Sequence, residues 1–228
     1  MERLSVNKAS YSYQTKYQTV YAVKDASCTF EAGRVYAITG ESGSGKSTLL
    51  SLLAGLDLPE KGDIFVDGIN MRKLNRNIYR QSVASVIYQA FHLLPLLTVE
   101  ENVMLPMELN NVPKHERKAK CEKYLGKVGI QKETFRKLPK MMSGGEQQRV
   151  AIARSLAAGG KILLADEPTG NLDTDNGQNI TDIMLKLARE DGYLIVIVTH
   201  NSSVAEQADA VYKMRDGVLV LQSERIAK

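Results

Sequence analysis

Gly40-Glu41-Ser42-Gly43-Ser44-Gly45-Lys46-Ser47-Thr48 is the stretch on which the reading of this chain turns. It matches GxxxxGK[ST] in full. The apolar, β-branched run Arg34–Thr39 precedes it and Leu49-Leu50-Ser51-Leu52-Leu53 follows, so it joins an expected strand to a helix expected to start at Gly45. Its glycines allow backbone conformations closed to other residues, and successive N–H groups can then curl around phosphate oxygens. The helix N-terminus adds partial positive charge. Lys46 can reach β- and γ-phosphates, and the Ser47 hydroxyl can ligate Mg²⁺. Gly40, Ser42, Gly43, Ser44, Gly45, Lys46, Ser47 and Thr48 are therefore the expected nucleotide-binding residues.

Downstream, Ile162-Leu163-Leu164-Ala165 is an apolar strand ending in Asp166-Glu167. An Asp at that position can hold Mg²⁺, directly or through water, and Glu167 can orient and deprotonate an attacking water. Other strands are expected at Val20–Phe30, Ile64–Val66, Val83–Tyr88 and Leu194–Thr199, with tight turns at Asp67-Gly68 and Asp216-Gly217. Thr98 to Ala158 reads as mostly helical. Pro113 opens one helix there, and Cys121, Tyr124, Leu125 and Val128 form its buried stripe. That helix carries Lys114, Arg117, Lys118, Lys120 and Lys123 on its opposite side with Glu116 and Glu122 interspersed, which reads as a solvated surface. Ile180, Ile183, Met184 and Leu187 form a second helical stripe.

Continuous apolar strands alternating with helices imply a parallel sheet covered on both faces. The expected fold class is α/β, a P-loop NTPase (RecA-like) core with a mostly parallel sheet. An antiparallel β subdomain lies on its N-terminal side, and an α-helical subdomain is inserted at roughly 90–160. A single nucleotide-binding domain is expected to span residues 1–228.

Composition narrows the classes. The chain is 43% hydrophobic and 25% charged, as expected for a globular domain. Thirty basic against 26 acidic residues gives a net charge of +4 spread along the chain, unlike the clustered footprint of a nucleic-acid binder. Cys28 and Cys121 lie far apart without metal-ligand spacing, so buried thiols are expected. Met1-Glu2-Arg3-Leu4 is not an apolar signal segment, and the apolar runs are strand-sized. Any membrane role is expected to pass through a partner.

Ser143-Gly144-Gly145-Glu146-Gln147-Gln148-Arg149 opens a second helix with another anion-binding terminus. One nucleotide has no use for two γ-phosphate cradles in the same chain, so the second is expected to serve a neighbouring copy. With this motif the chain resembles the nucleotide-binding subunit of ABC transporters along essentially its whole length. Ser143-Gly144-Gly145-Glu146-Gln147 resembles the family's LSGGQ signature, with Met142 for the leading Leu and Glu146 for the final Gln. Glu146, Gly170-Asn171-Leu172-Asp173 and Glu101-Asn102-Val103 are similar to the MacB/LolD-like branch of macrolide exporters and lipoprotein-releasing systems.

The resemblance implies further roles. Gln89 corresponds to the glutamine that senses Mg²⁺ and the water and faces the membrane subunit. His200 corresponds to the switch histidine at the γ-phosphate, Asp173 to the loop coupling two sites, and Tyr13 to the aromatic stacked on adenine. ATP and Mg²⁺ are the implied cofactors. The implied partners are a second copy in an ATP-sandwich homodimer and an integral membrane permease, in some systems with a periplasmic or extracellular adaptor. The implied place is the cytoplasmic side of the cell membrane. The segment Gln89, Phe91, Leu93, Leu94 would form the permease groove, unless these side chains pack inward. Export of peptides, antibiotics or lipoproteins is one reading of the work done. Driving a partner that activates an extracytoplasmic enzyme is the other. A P-loop kinase would have no use for Ser143–Gly145, and a GTPase would need an NKxD that is missing.

Overall fold

The structure is a computed structural model describing residues 2–14 and 16–225. In chain order the elements are β1 (Glu2–Gln14), β2 (Thr19–Glu31), β3 (Val35–Thr39), α1 (Lys46–Leu53), β4 (Lys61–Val66), β5 (Ile69–Asn70), α2 (Arg76–Ser82) and β6 (Ala84–Tyr88). They continue with α3 (Val99–Leu109), α4 (Lys114–Lys127), α5 (Gly144–Ala157), β7 (Ile162–Asp166), α6 (Thr174–Asp191), β8 (Leu194–Val198), α7 (Ser202–Gln207), β9 (Ala210–Arg215) and β10 (Val218–Glu224).

The strands form two sheets. The larger has the order β10-β9-β3-β8-β7-β6, and every neighbouring pair is parallel except β10 with β9. The smaller, β2-β1-β4-β5, is antiparallel. Period-two alternation explains why the central strands are apolar throughout. Ile162 and Leu164 of β7, and Leu194, Val196 and Val198 of β8, enter the core shared with α1 and the antiparallel sheet. Leu163, Ala165, Ile195 and Ile197 enter the opposite core, which α3, α4, α5 and α6 cover. The mixed α/β class read from the sequence is therefore the observed one.

Asp67-Gly68 and Asp216-Gly217 have positive φ at both residues, as a type I′ turn requires, and they close the β4–β5 and β9–β10 hairpins. Between β6 and β7 the chain is less uniformly helical than expected. Residues 128–143 carry only 3₁₀ turns at Lys132–Thr134 and Pro139–Met141, because Gly129 ends α4 with φ 73° and Pro139 follows. Helices α2 and α7 are too short to show periodicity and were not expected. The basic side of α4 is solvated as read, with Lys120 on Glu116 at 2.7 Å. Cys28 and Cys121 are both buried, and burial pushes each thiol up to about 12.

One buried polar side chain organises the segment after β6. Asn102 of α3 has no exposed surface. It accepts a hydrogen bond from the Leu94 N–H at 2.8 Å and donates to the carbonyls of Leu94, Leu97 and Thr98 at 3.0–3.1 Å. Removing it takes the partner from the Leu94 N–H and the Leu97 carbonyl, whereas the carbonyls of Leu94 and Thr98 keep the N–H groups of Leu97 and of residue 102. Asn102→Ala is expected to lower the unfolding free energy by at least about 1–3 kcal/mol, and a urea titration measures it.

Candidate functional site

Thr39 ends β3 at the sheet's C-terminal edge, and the chain turns at once into the glycine-rich loop. Gly45 caps α1 with φ 105°, and a Cβ there would lie 1.9 Å from the Ala22 carbonyl oxygen, so only glycine fits between loop and β2. Lys46 is almost buried, and its Nζ donates to the carbonyls of Gly40 and Glu41 at 2.8 Å each. The ammonium thus lies inside the loop's curve. A cleft of about 880 Å³ opens there, lined by Tyr13, Gly40, Ser42, Gly43, Gly45, Lys46, Ser47, Thr48, Gln89, Asp166, Glu167 and His200. The Tyr13 ring packs edge-on against Tyr11, and its hydroxyl sits 3.3 Å from Thr48 Oγ1, tying the β1 end to the start of α1.

β7 delivers both carboxylates. Asp166 is half-buried. Its carboxyl is pushed above its ordinary 3.8, first by burial and then by Glu167, while Ser47 and Lys46 oppose the shift. Ser47 Oγ lies 3.4 Å from Asp166 Oδ1. Glu167 has φ 48°, a left-handed conformation that a glutamate adopts only under constraint. The constraint is visible: its N–H donates to the Val198 carbonyl at 2.9 Å, and its carbonyl accepts from the Gly170 N–H at 3.0 Å. His200, two residues past the end of β8, places Nδ1 2.8 Å from Glu167 Oε1. With Glu167 ionised, Nδ1 carries the proton and Nε2 is left for another group.

Gln89 follows β6 and lines the cleft, while its side chain is engaged with Asn171. The loop beyond is held by Arg154 of α5, which donates to the Phe91 and His92 carbonyls, and desolvation lowers the pKa of that guanidinium. The expected groove residues divide. Leu93 packs against the core and Phe91 is half-buried, whereas Leu94 is 41% exposed. Leu96, which is not among them, is 88% exposed.

The second anion-binding terminus is well formed and lies elsewhere. Ser143 caps α5: its Oγ accepts from the Glu146 N–H at 3.3 Å, and Glu146 Oε2 accepts from the Ser143 N–H at 2.8 Å. That backbone hydrogen bond is the main reason the Glu146 carboxyl lies below the usual carboxylate range. Asp173 likewise caps α6, with its carboxyl lowered chiefly by the Asn176 N–H. Ser143, Gly144, Gly145, Glu146 and Asp173 do not line the cleft. Nor does Ser44, whose hydroxyl is buried while its carbonyl accepts from the Gly217 N–H. Thr19, Lys24 and Asp216 line the cleft without any local signal, since they arrive through β2 and the β9–β10 turn. The Ser47 hydroxyl, Asp166 carboxylate and Gln89 amide are hard oxygen donors that suit Mg²⁺. Among the described residues no cluster of three His, Cys, Asp or Glu side chains forms a cage.

A family model described as ABC transporter matches residues 23–170. The chain is 44% identical to the lipoprotein-releasing system ATP-binding protein LolD 2 of Rhodopirellula baltica over 207 residues, covering 87% of this chain and 81% of that one. It is 38% identical to the macrolide export ATP-binding/permease protein MacB of Escherichia coli over 223 residues, 96% of this chain but only 34% of that protein. Among solved structures, the dimeric bacterial ABC transporter cassette MJ0796 superposes with a TM-score of 0.89 at 33% identity, covering 98% of this chain and all of that one. The same cassette is also known in a dimeric post-hydrolysis state bound to ADP and Pi, again with a TM-score of 0.89.

Asp166 carries a stability cost that its surroundings do not cancel. Because its folded pKa lies above the unfolded value, the charged form is disfavoured by folding at pH 7, and the cost disappears as pH falls below the ordinary Asp range. Asp166→Asn is expected to raise Tm near pH 7, by about 2–4 °C for each kcal/mol recovered, and to leave it unchanged near pH 3. Calorimetry at the two pH values checks this.

Proposed function

This chain belongs to the ABC transporter ATP-binding family, in its MacB/LolD-like branch, and from that premise we propose that two copies close head-to-tail over two ATP molecules. Each nucleotide would lie between Gly40–Thr48 of one copy and Ser143–Gly145 of the other. The observation that carries this reading is the division of anion-binding groups. The phosphate loop, Asp166, Glu167 and His200 converge on one cleft, while the capped terminus at Ser143 stands outside its lining. The dimeric MJ0796 cassettes support it further.

The enzyme is an ATP hydrolase. Tyr13 stacks on adenine, an interaction typically worth about 1–3 kcal/mol for base–aromatic pairs. Lys46 exchanges the Gly40 and Glu41 carbonyls for β- and γ-phosphate oxygens. Ser47 would hold Mg²⁺ with Gln89 and with Asp166, the latter directly or through water, and the ion when bound neutralises charge on the phosphoryl oxygens. Glu167 orients a water and takes its proton. The water oxygen bonds to the γ-phosphorus as the bond to the bridging oxygen of ADP breaks, leaving ADP and phosphate. His200 fixes Glu167 through Nδ1 and turns Nε2 to the γ-phosphate. The Ser143 terminus of the second copy adds electrostatic stabilisation of the transferring group, and Asp173 couples the two sites.

Residues at roughly 90–160 act as an inserted helical subdomain of this single ATPase domain. Leu94 and Leu96 present apolar surface at its edge to an integral membrane permease, which sets the chain at the cytoplasmic side of the membrane. No helix among the described residues is long and apolar enough to cross a membrane itself. The work driven is export of peptides, antibiotics or lipoproteins; the names of two relatives give lipoprotein release and macrolide export for those proteins.

Glu167→Gln keeps the shape of the site, retains an oxygen for only one of the two His200 contacts, and removes the base. Turnover is expected to fall by about 10²–10⁴-fold with ATP binding retained, and an ATP-bound dimer should accumulate on size-exclusion chromatography. Lys46→Ala and Ser143→Ala chains should each be nearly inactive alone. An equal mixture should recover about a quarter of wild-type turnover, because random pairing gives half heterodimers with one intact site each. A mixture as inactive as its components would dismiss the shared site.

A further inference from the structure

The amide pair between Gln89 and Asn171 is oriented by a group that can play only one part. The Gln89 backbone carbonyl can only accept, and Asn171 Nδ2 lies 3.3 Å from it. That places Oδ1 at the other end of the Asn171 amide, where it accepts from Gln89 Nε2 at 2.9 Å. The Gln89 side chain is then committed through its amino end, and Oε1 is its free end. The pair is closely fitted, since a Cβ on Gly170 would come within 2.8 Å of Gln89 Nε2.

Its base is rigid as well. Tyr88 and Asp166 are register partners of β6 and β7. Immediately beyond, fully buried Gln148 of α5 donates Nε2 to the Pro168 carbonyl at 2.9 Å and to the Tyr88 carbonyl at 3.4 Å. The two loops that carry Gln89 and Asn171 are therefore fastened to each other and to α5.

We propose that Asn171 is a positioning residue that sets the Gln89 amide with its oxygen, not its amino group, available in the cleft beside Ser47 and Asp166. This rests on the reading of Gln89 as a ligand of nucleotide-bound Mg²⁺. A carboxamide is nearly symmetric in shape, and its two ends are opposite in function: the oxygen ligates a cation and the amino group repels one. Without Asn171 nothing in the described contacts holds the Gln89 side chain one way round. Groups that orient a ligand from behind typically contribute 10–100-fold in metal affinity.

The test follows binding rather than turnover. Mg²⁺ is titrated into the full-length chain with a fluorescent non-hydrolysable ATP analogue present, and the Mg²⁺ midpoint of nucleotide binding is read. Asn171→Ala is expected to raise the midpoint about 10–100-fold while leaving analogue binding in EDTA unchanged. In a Gln89→Glu background the same change should have no such effect, because a carboxylate has two equivalent oxygens and cannot be turned the wrong way. An unshifted midpoint for Asn171→Ala, or an equal shift in both backgrounds, overturns the orienting role and leaves the ATPase reading standing. Wild-type chain whose nucleotide binding ignores Mg²⁺ overturns the role of Gln89 together with the inference built on it.

Discussion

Parallel strands buried on both faces deliver their C-terminal ends to one edge of a sheet, and here the residues that follow those ends line one cleft. The glycine loop leaves β3, Gln89 leaves β6, Asp166 and Glu167 close β7, and His200 follows β8. Apolar alternation into two cores therefore does more than stabilise the sheet. It fixes the strand register and so decides which polar residues face one another across 2.8–3.4 Å. A one-residue slip of β7 against β8 would turn Leu163 and Ala165 toward the wrong core and take Glu167 away from His200.

Against that rigid frame the working groups are held at a cost. Asp166 is half-buried with its charge poorly compensated, and Glu167 occupies a left-handed backbone conformation that two hydrogen bonds enforce. Both features oppose folding, and both belong to a carboxylate that the proposed mechanism uses, which is the usual relation between strain and function. The Ser143 terminus is treated differently. Ser143 and Glu146 exchange hydrogen bonds there in a capping box, so the α5 start is ordered in the single chain.

Much of this was legible in the residues because the signals are local. GxxxxGK[ST] between a strand and a helix, an apolar strand ending in Asp-Glu, and Ser-Gly-Gly opening a helix each report on a few consecutive residues. The α/β class followed from the length and apolarity of Leu194–Val198 and its fellows. What escaped depends on distant partners. Nothing near Asn102 says that it will bond four backbone groups of the preceding loop, and nothing near Asn171 says that Gln89 will meet it from 82 residues away. Leu93 and Leu94 are adjacent and alike, yet one joins the core and the other faces out, because the loop between β6 and α3 has no period from which to read orientation.

The thiols of Cys28 and Cys121 have a practical corollary. Both are shielded from solvent and stay protonated far above neutral pH, so neither presents a thiolate to an alkylating reagent or an oxidant. Both are therefore expected to react slowly with maleimide dyes in the folded chain. A reporter cysteine introduced at an exposed position away from the proposed docking edge, such as Val220, should be labelled ahead of both, so that dimer closure could be watched by fluorescence without first stripping out the native sulfur.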